Sequence, residues 1–412
     1  MAEAIRVVAC RSCGAPGPRP FLSLGVTPIA NALLSEADLG RDEPRFPLEV
    51  GFCEACTLVQ LTHALPAEAI FDDAYPYFSS FSELVVSHAR EHVEGLVASG
   101  RLGPGKRLVE VASNDGYLLR QAMEHGVEVF GIEPTPGPAA AAIAAGVPTR
   151  QAFFGDGYAR ELRAEIGPAD VIVANNVMAH VPDLNGFVAG FRELVADDGL
   201  ITIENPWIGD LMEHAEFDTI YHEHYCYFSC TAVDALMRRH DLSLNDIEYF
   251  PELHGGTLRW HVGPVRAPTE RALGYLADER ATGLTSFDAY ERFGERVESI
   301  VADLRALLAR LRGEGATIAA YGAAAKGATL LNRAGIGADM LDYVVDRNTH
   351  KQGHWMPGAR LPIVAPEALM ERPPDYLLLL AWNFAPEIMR QQADYAARGG
   401  RFIVPIPTPT IV

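Results

Sequence analysis

Residues 107–123 read RLVEVASNDGYLLRQAM, an apolar run that ends in a polar turn and resumes as amphipathic chain. Leu108, Val109 and Val111 are strand formers, and Ser113, Asn114, Asp115 and Gly116 are turn residues. From Tyr117 onward the apolar positions recur at helical spacing. The same strand, turn and helix grammar repeats downstream. VEVFGIEP is a strand and PAAAAIAAG a helix; ADVIVANNVMAHV is a strand that ends in a polar loop; NGFVAGFRELV is a helix and GLITIENP another strand. Strands joined by helical crossovers make a doubly wound α/β sheet.

A second α/β unit closes the chain. ERVESIVADLRALLARLRGEG, residues 295–315, has the spacing of a long amphipathic helix. TIAAYGAAAKGATLLNRAG then reads as strand, glycine turn and helix, and DYVVDRN, DYLLLLAW and RFIVPIP supply further strands. At the other end, Cys10 and Cys13 form one CxxC pair and Cys53 and Cys56 a second, with a strand-like TLVQL after them. Four thiols in two short spacings suit a tetrahedral zinc site, whose filled coordination sphere leaves no position for substrate. The domains predicted are therefore 1–70, zinc-binding; 71–245, a Rossmann-like central domain; and 246–412, a second Rossmann-like α/β domain. Cys226 and Cys230 read as packing thiols.

A chain of 412 residues exceeds one ordinary core, and a net charge of −20 disfavours nucleic acid or an anionic membrane as partner. No apolar run reaches the roughly eighteen residues of a membrane span, and the N-terminus lacks signal-peptide architecture, so a cytoplasmic protein is expected. A monomer or small homo-oligomer is compatible with the charge.

Ligands of open α/β sheets bind beyond the carboxyl ends of the strands. The loops VASNDGYL, GIEPT and ANNVMAH should therefore converge on one ligand. The first carries Ser113, Asn114 and Asp115, with Tyr117 and Leu118 behind them, where a dinucleotide loop would carry glycines. A pyrophosphate tolerates a carboxylate poorly, whereas a ligand bearing a cation suits Asp115. Glu133, followed by Pro134, ends the second strand, where an acid accepts hydrogen bonds from ribose hydroxyls. With Asn175 and Asn176 ending the third, and Phe153 available to cover an adenine, the set describes an S-adenosylmethionine pocket.

The stretch TIYHEHYCYF, Thr219–Phe228, places His222 and His224 two apart, unlike the four-residue spacing of a helical zinc motif. If extended, it puts the two histidines on one face and Tyr221, Glu223 and Tyr225 on the other. A turn would instead gather Tyr221, Glu223 and His224.

Two CxxC pairs, VEVASNDGYLL, GIEPT, ADVIVANNVMAHVPDL, FDTIYHEHYCYFS, HGGTLR and YGAAAKGATLLN occur in this order. Together they resemble the nucleoside-diphosphate-sugar C-methyltransferases, which act on keto-deoxysugars in bacterial antibiotic biosynthesis. The resemblance implies an N-terminal zinc domain, a central S-adenosylmethionine-dependent methyltransferase domain, and a C-terminal domain that helps hold a nucleotide-sugar, dTDP-linked by expectation. It assigns His224 as general base, with Tyr221 and Glu223 beside it, and favours the turn; His222 then reads as a core histidine. It also implies substrate-pocket roles for His180 and for Tyr75 or Tyr77, of which Tyr75 is preferred.

The chemistry asks for such residues independently. Methylating carbon requires a proton to be removed beside a ketone by a base titrating near the working pH, and donors for the enolate oxygen. In the C-terminal turn Lys326 offers charge to a diphosphate, and Asn332 and Tyr321 hydrogen bonds. His254, Gly255 and Arg259 of HGGTLRW could face the same ligand or simply form a bulge. Rival readings are methylation of another carbon, a hydroxyl or a non-sugar acceptor, and a zinc-ribbon interaction protein with a degenerate methyltransferase domain.

Overall fold

The computed structural model describes residues 4–66, 70, 78–253 and 255–412. Tyr75, Tyr77 and His254 lie outside the described residues.

Between the two cysteine pairs the chain forms β1 (Arg19–Thr27) and β2 (Phe46–Phe52), and β3 (Val59–Leu61) follows the second pair. These two strands pair antiparallel, with residues 28–45 connecting them. The fourth strand of this sheet comes from far along the chain: Cys226–Tyr227 pairs antiparallel with β3.

The central sheet contains β4 (Arg107–Val111), β5 (Glu128–Ile132), β6 (Thr149–Arg150), β7 (Ala169–Asn175), β8 (Val195–Pro206), β9 (Leu242–Phe250) and β10 (Thr257–Pro264). Their order is β6-β5-β4-β7-β8-β10-β9. β10 runs antiparallel to both its neighbours, while the strands from β6 to β8 are parallel. The order reverses between β4 and β7, which makes a crevice at their carboxyl ends. Helices α1 (Glu83–Ala98), α2 (Tyr117–Met123), α3 (Pro136–Ala144), α4 (Asp156–Ile166) and α5 (Leu184–Leu194) accompany the sheet.

The domain border expected at 245/246 falls inside β9, and the central sheet continues to Pro264. Leu258, Trp260 and Val262 alternate into the core that holds Ile201 and Ile203 of β8, so the stretch after the glycine pair is a core strand.

Helix α6 (Ile208–His214) leads into the YHEHY segment, and α7 (Cys230–Arg238) leaves it. Helix α8 (Glu270–Ala281) packs on α7 and β9. The long helix α9 covers Phe287–Gly313, starting eight residues before the expected Glu295. Phe287, Tyr290 and Phe293 account for the extra turns, since they pack on the zinc domain: Tyr290 stacks on Phe52 at 4.6 Å and meets Phe21 at 5.2 Å.

In the C-terminal domain β11 (Ile318–Tyr321), β12 (Val344–Val345), β13 (Ile363–Val364), β14 (Tyr376–Leu379), β15 (Arg401–Val404) and β16 (Thr410–Ile411) order as β13-β12-β11-β14-β15-β16. All pair parallel except β16. Helix α10 (Ala325–Ala334) follows the glycine turn after β11. One buried cluster joins β1–β3, α9 and this sheet, and another joins the cysteines to the central sheet. No helix among the described residues is long and apolar enough to cross a membrane.

Candidate active site

The four cysteine sulfurs lie within 4.8 Å of one another, with Cys10 3.6 Å from Cys56 and Cys13 3.5 Å from Cys53. Contact with the Cys56 thiol draws Cys10 down to about 4, whereas burial pushes Cys53 up to about 11. Thiols set this close compete for protons, and a bound dication relieves that competition by stabilising the thiolates. The donor set fits a closed zinc-thiolate centre. Its first knuckle also grips the central domain: Arg11 donates to the Pro182 carbonyl at 2.7 Å, and Asn185 donates to the carbonyls of Arg11 and Ser12.

At the β4–β7 crevice, Ala112, Asn114 and Gly116 all take positive φ, so the loop coils tightly before α2. A side chain at 116 would meet Val147 at 2.8 Å, so the position also requires glycine sterically. Glu133 holds the loop together: Oε2 accepts from the Asn114 amide at 2.8 Å and Oε1 from the Thr135 amide at 2.8 Å. Oε1 also accepts from the Thr135 hydroxyl, so Oε2 keeps the lone pair open to a further donor. Asp115 Oδ2 accepts from the Ser80 amide at 3.3 Å, and the Ser79 amide donates to Asn114 at 2.8 Å, so chain N-terminal to α1 folds over the loop. Asp115 Oδ1, Ser113 Oγ and Asn175 Oδ1 are buried with no hydrogen-bond partner among the described residues. Orphaned acceptors of this kind call for a donor or a cation, which the ammonium and sulfonium of S-adenosylmethionine supply. Asn176 turns at positive φ beside them, with its amide on the Glu204 carbonyl at 2.7 Å. Tyr117 and Leu118 point into the core under α2, Pro134 adjoins Glu133, and Phe153 is 53% exposed.

The YHEHY segment is a turn. The His224 amide donates to the Tyr221 carbonyl at 3.0 Å. The His224 ring is held at both nitrogens: Nδ1–H donates to the Thr219 carbonyl at 3.0 Å, which leaves Nε2 to accept from the Tyr221 hydroxyl, also at 3.0 Å. The His180 ring lies 4.7 Å from it, with Nδ1 donating to the Glu223 carbonyl at 2.9 Å. Burial pushes His180 down to about 4, so it is neutral at ordinary pH. Glu223 accepts from Asn31 at 2.7 Å, and burial pushes its carboxyl up to about 7. His222 turns away into the zinc-domain contact, donating to the Phe46 carbonyl at 3.3 Å.

The C-terminal residues expected at the ligand already have protein partners. Lys326 bonds Glu216 at 3.3 Å and Asn332 donates to the Pro357 carbonyl at 2.9 Å. Arg259 bonds Glu204 through Nε at 2.6 Å and Glu248 at 2.8 Å, beside His88. Gly255 lies against Glu216, whose carboxylate would be 2.5 Å from an added Cβ. Tyr321, at the end of β11, has a buried hydroxyl beside Gln392. Sequence reasoning passed over Asn205, Asp218 and Trp382, which border the turn. An aspartate inside the apolar run EFDTIY was the one available signal, since a buried carboxylate has to be paired.

A reversed-order parallel sheet, a cation-seeking crevice and a histidine turn at its edge define a methyltransferase. Family models match along nearly the whole chain: "Putative zinc binding domain" at residues 10–71, "Methyltransferase domain" at 88–246 and "C-methyltransferase C-terminal domain" at 252–407. C-methyltransferase NovU of Streptomyces niveus is 35% identical over 406 residues, 98% of this chain and 96% of that protein. The chain belongs to this C-methyltransferase family. Among solved structures, magnesium protoporphyrin IX methyltransferase from Synechocystis PCC 6803 overlaps with a TM-score of 0.35 at 13% identity, covering 48% of this chain and 92% of that one. A Burkholderia thailandensis 1,6-didemethyltoxoflavin-N1-methyltransferase overlaps at 0.33 with 16% identity, over 44% and 78%.

Proposed function

We propose that this chain methylates the carbon beside the ketone of a dTDP-linked 4-keto-deoxysugar through an enolate, with His224 as general base. The observation that carries the reading is the ring of His224, whose Nδ1–H is committed to the Thr219 carbonyl so that Nε2 is the basic nitrogen. A neutral imidazole in this tautomer takes a proton from carbon at Nε2 once the Tyr221 hydroxyl turns away from that lone pair. Tyr221 already hydrogen-bonds Nε2 and steers the ring, and neutral His180 limits the charge around the imidazolium once it forms. S-adenosylmethionine, when bound, supplies a methyl on sulfonium that leaves with its bonding pair on sulfur. Asp115 and Asn175 would receive its cationic end and Glu133 its ribose. In the C-terminal domain, Tyr321 would turn its hydroxyl from Gln392 to the nucleotide, whereas Lys326 must first give up Glu216.

The test is mass spectrometry of wild type and His224→Ala with S-adenosylmethionine and dTDP-4-keto-deoxysugars in deuterated water. Gain of one methyl, with His224-dependent exchange beside the ketone, is the expected result. Tight cofactor binding without methylation or exchange of any such sugar would remove the sugar from the proposal.

A further inference from the structure

Three polar side chains line one cavity with His224 and share the same unmet need. Asn205, near the end of β8, is 1% exposed, and neither its amide nitrogen nor its amide oxygen has a partner among the described residues. The Thr219 hydroxyl is likewise buried and unpartnered there, and the buried Tyr227 hydroxyl, whose oxygen faces the Tyr221 backbone amide, donates to no described residue. The remaining walls are mostly apolar, Ala179, Ile208, Leu211 and Phe228 among them, and the cavity measures about 20 Å³. That is room for one water-sized group and far too little for a sugar ring.

Native interiors rarely leave a buried polar group unpaired, so three at one cavity identify a place where something polar is received. The chemistry of the three narrows it down. Asn205 offers amide N–H groups, and Thr219 and Tyr227 each offer an O–H; burial holds the Tyr227 phenol in its protonated form. Donors on residues that line an apolar niche suit an oxygen that gains negative charge. Thr219 also fixes the His224 ring through its carbonyl, so base and niche share a residue.

We propose that Asn205, Thr219 and Tyr227 form an oxyanion niche that receives the carbonyl oxygen of the acceptor ketone. The inference rests on the enolate reading above. As His224 Nε2 takes the proton from the neighbouring carbon, the C–H pair becomes the new C=C bond and the carbonyl π pair moves onto oxygen. The resulting charge is met by the three donors, and no oxidant or further reactant is needed.

The experiment measures deuterium exchange beside the ketone of a dTDP-4-keto-deoxysugar, with S-adenosylhomocysteine present, for wild type, Tyr227→Phe, Asn205→Leu and the near-isosteric Asn205→Asp. Each variant is expected to slow exchange by about 10²-fold, while its calorimetric affinity for S-adenosylmethionine stays at the wild-type value. Folded variants that exchange at the wild-type rate overturn the niche and leave the enolate reading standing. A wild type that exchanges no ketone proton overturns both.

Discussion

The indole N–H of Trp382 donates to Asp218 Oδ2 at 2.7 Å, fastening the C-terminal domain to the residue before Thr219, whose carbonyl orients His224. Beside it Lys326 holds Glu216, so two contacts from one crevice clamp the 3₁₀ turn Phe217–Thr219. Trp382→Phe removes the hydrogen bond but keeps the ring. Because small misplacements of a catalytic group are costly in rate, kcat should fall roughly tenfold, with the cofactor Kd unchanged. Steady-state methylation kinetics beside calorimetry would check this, and an unaltered kcat would mean that the turn orients itself.

Zinc should be found at about one ion per chain by atomic absorption. Cys53→Ser should lower the yield of folded protein rather than abolish methylation by the fraction that folds. Stable, metal-free wild-type protein would contradict the closed thiolate site.

Asp115→Ala and Glu133→Ala remove the carboxylate with the orphaned Oδ1 and the proposed ribose acceptor. Each should weaken S-adenosylmethionine binding by about 1–3 kcal/mol, read by calorimetry, and leave nucleotide-sugar affinity in place. Glu133→Ala should cost some stability too, because the amides of Asn114 and Thr135 lose their acceptor.

Glu223 sets a pH dependence of stability. Its folded pKa of about 7 exceeds the ordinary value of 4.5, so the folded state holds a proton that the unfolded chain has released. Its contribution is complete below pH 4.5 and is lost as pH rises through about 7. Asp218, raised by burial to about 6, acts in the same direction. Glu223→Gln keeps the hydrogen-bonding shape without the titration, so the drop in stability between pH 5 and 8 should shrink by roughly 3 kcal/mol at most. Urea unfolding at several pH values measures it.

The central strands were legible because buried parallel strands read as apolar runs between turn residues, as VEV and VIVA do. The polar turn at residues 113–116 was legible for the opposite reason, its residues standing where apolar ones would be expected. What escaped the sequence was long-range. A two-residue strand such as Cys226–Tyr227 carries no periodicity, and its partner β3 lies far back along the chain. The start of α9 was hidden because Phe287 and Tyr290 face the zinc domain rather than the sheet that follows them in sequence. The cavity lined by Asn205 and Tyr227 joins segments with no common motif.

The pairing of Cys226–Tyr227 with β3 also orders events in time. During synthesis the zinc-binding sheet cannot acquire its last strand until Tyr227 has left the ribosome, and until then the backbone edge of β3 is open to any passing strand. The strand that closes this edge begins two residues after His224, so the same pairing anchors the chain that leaves the histidine turn.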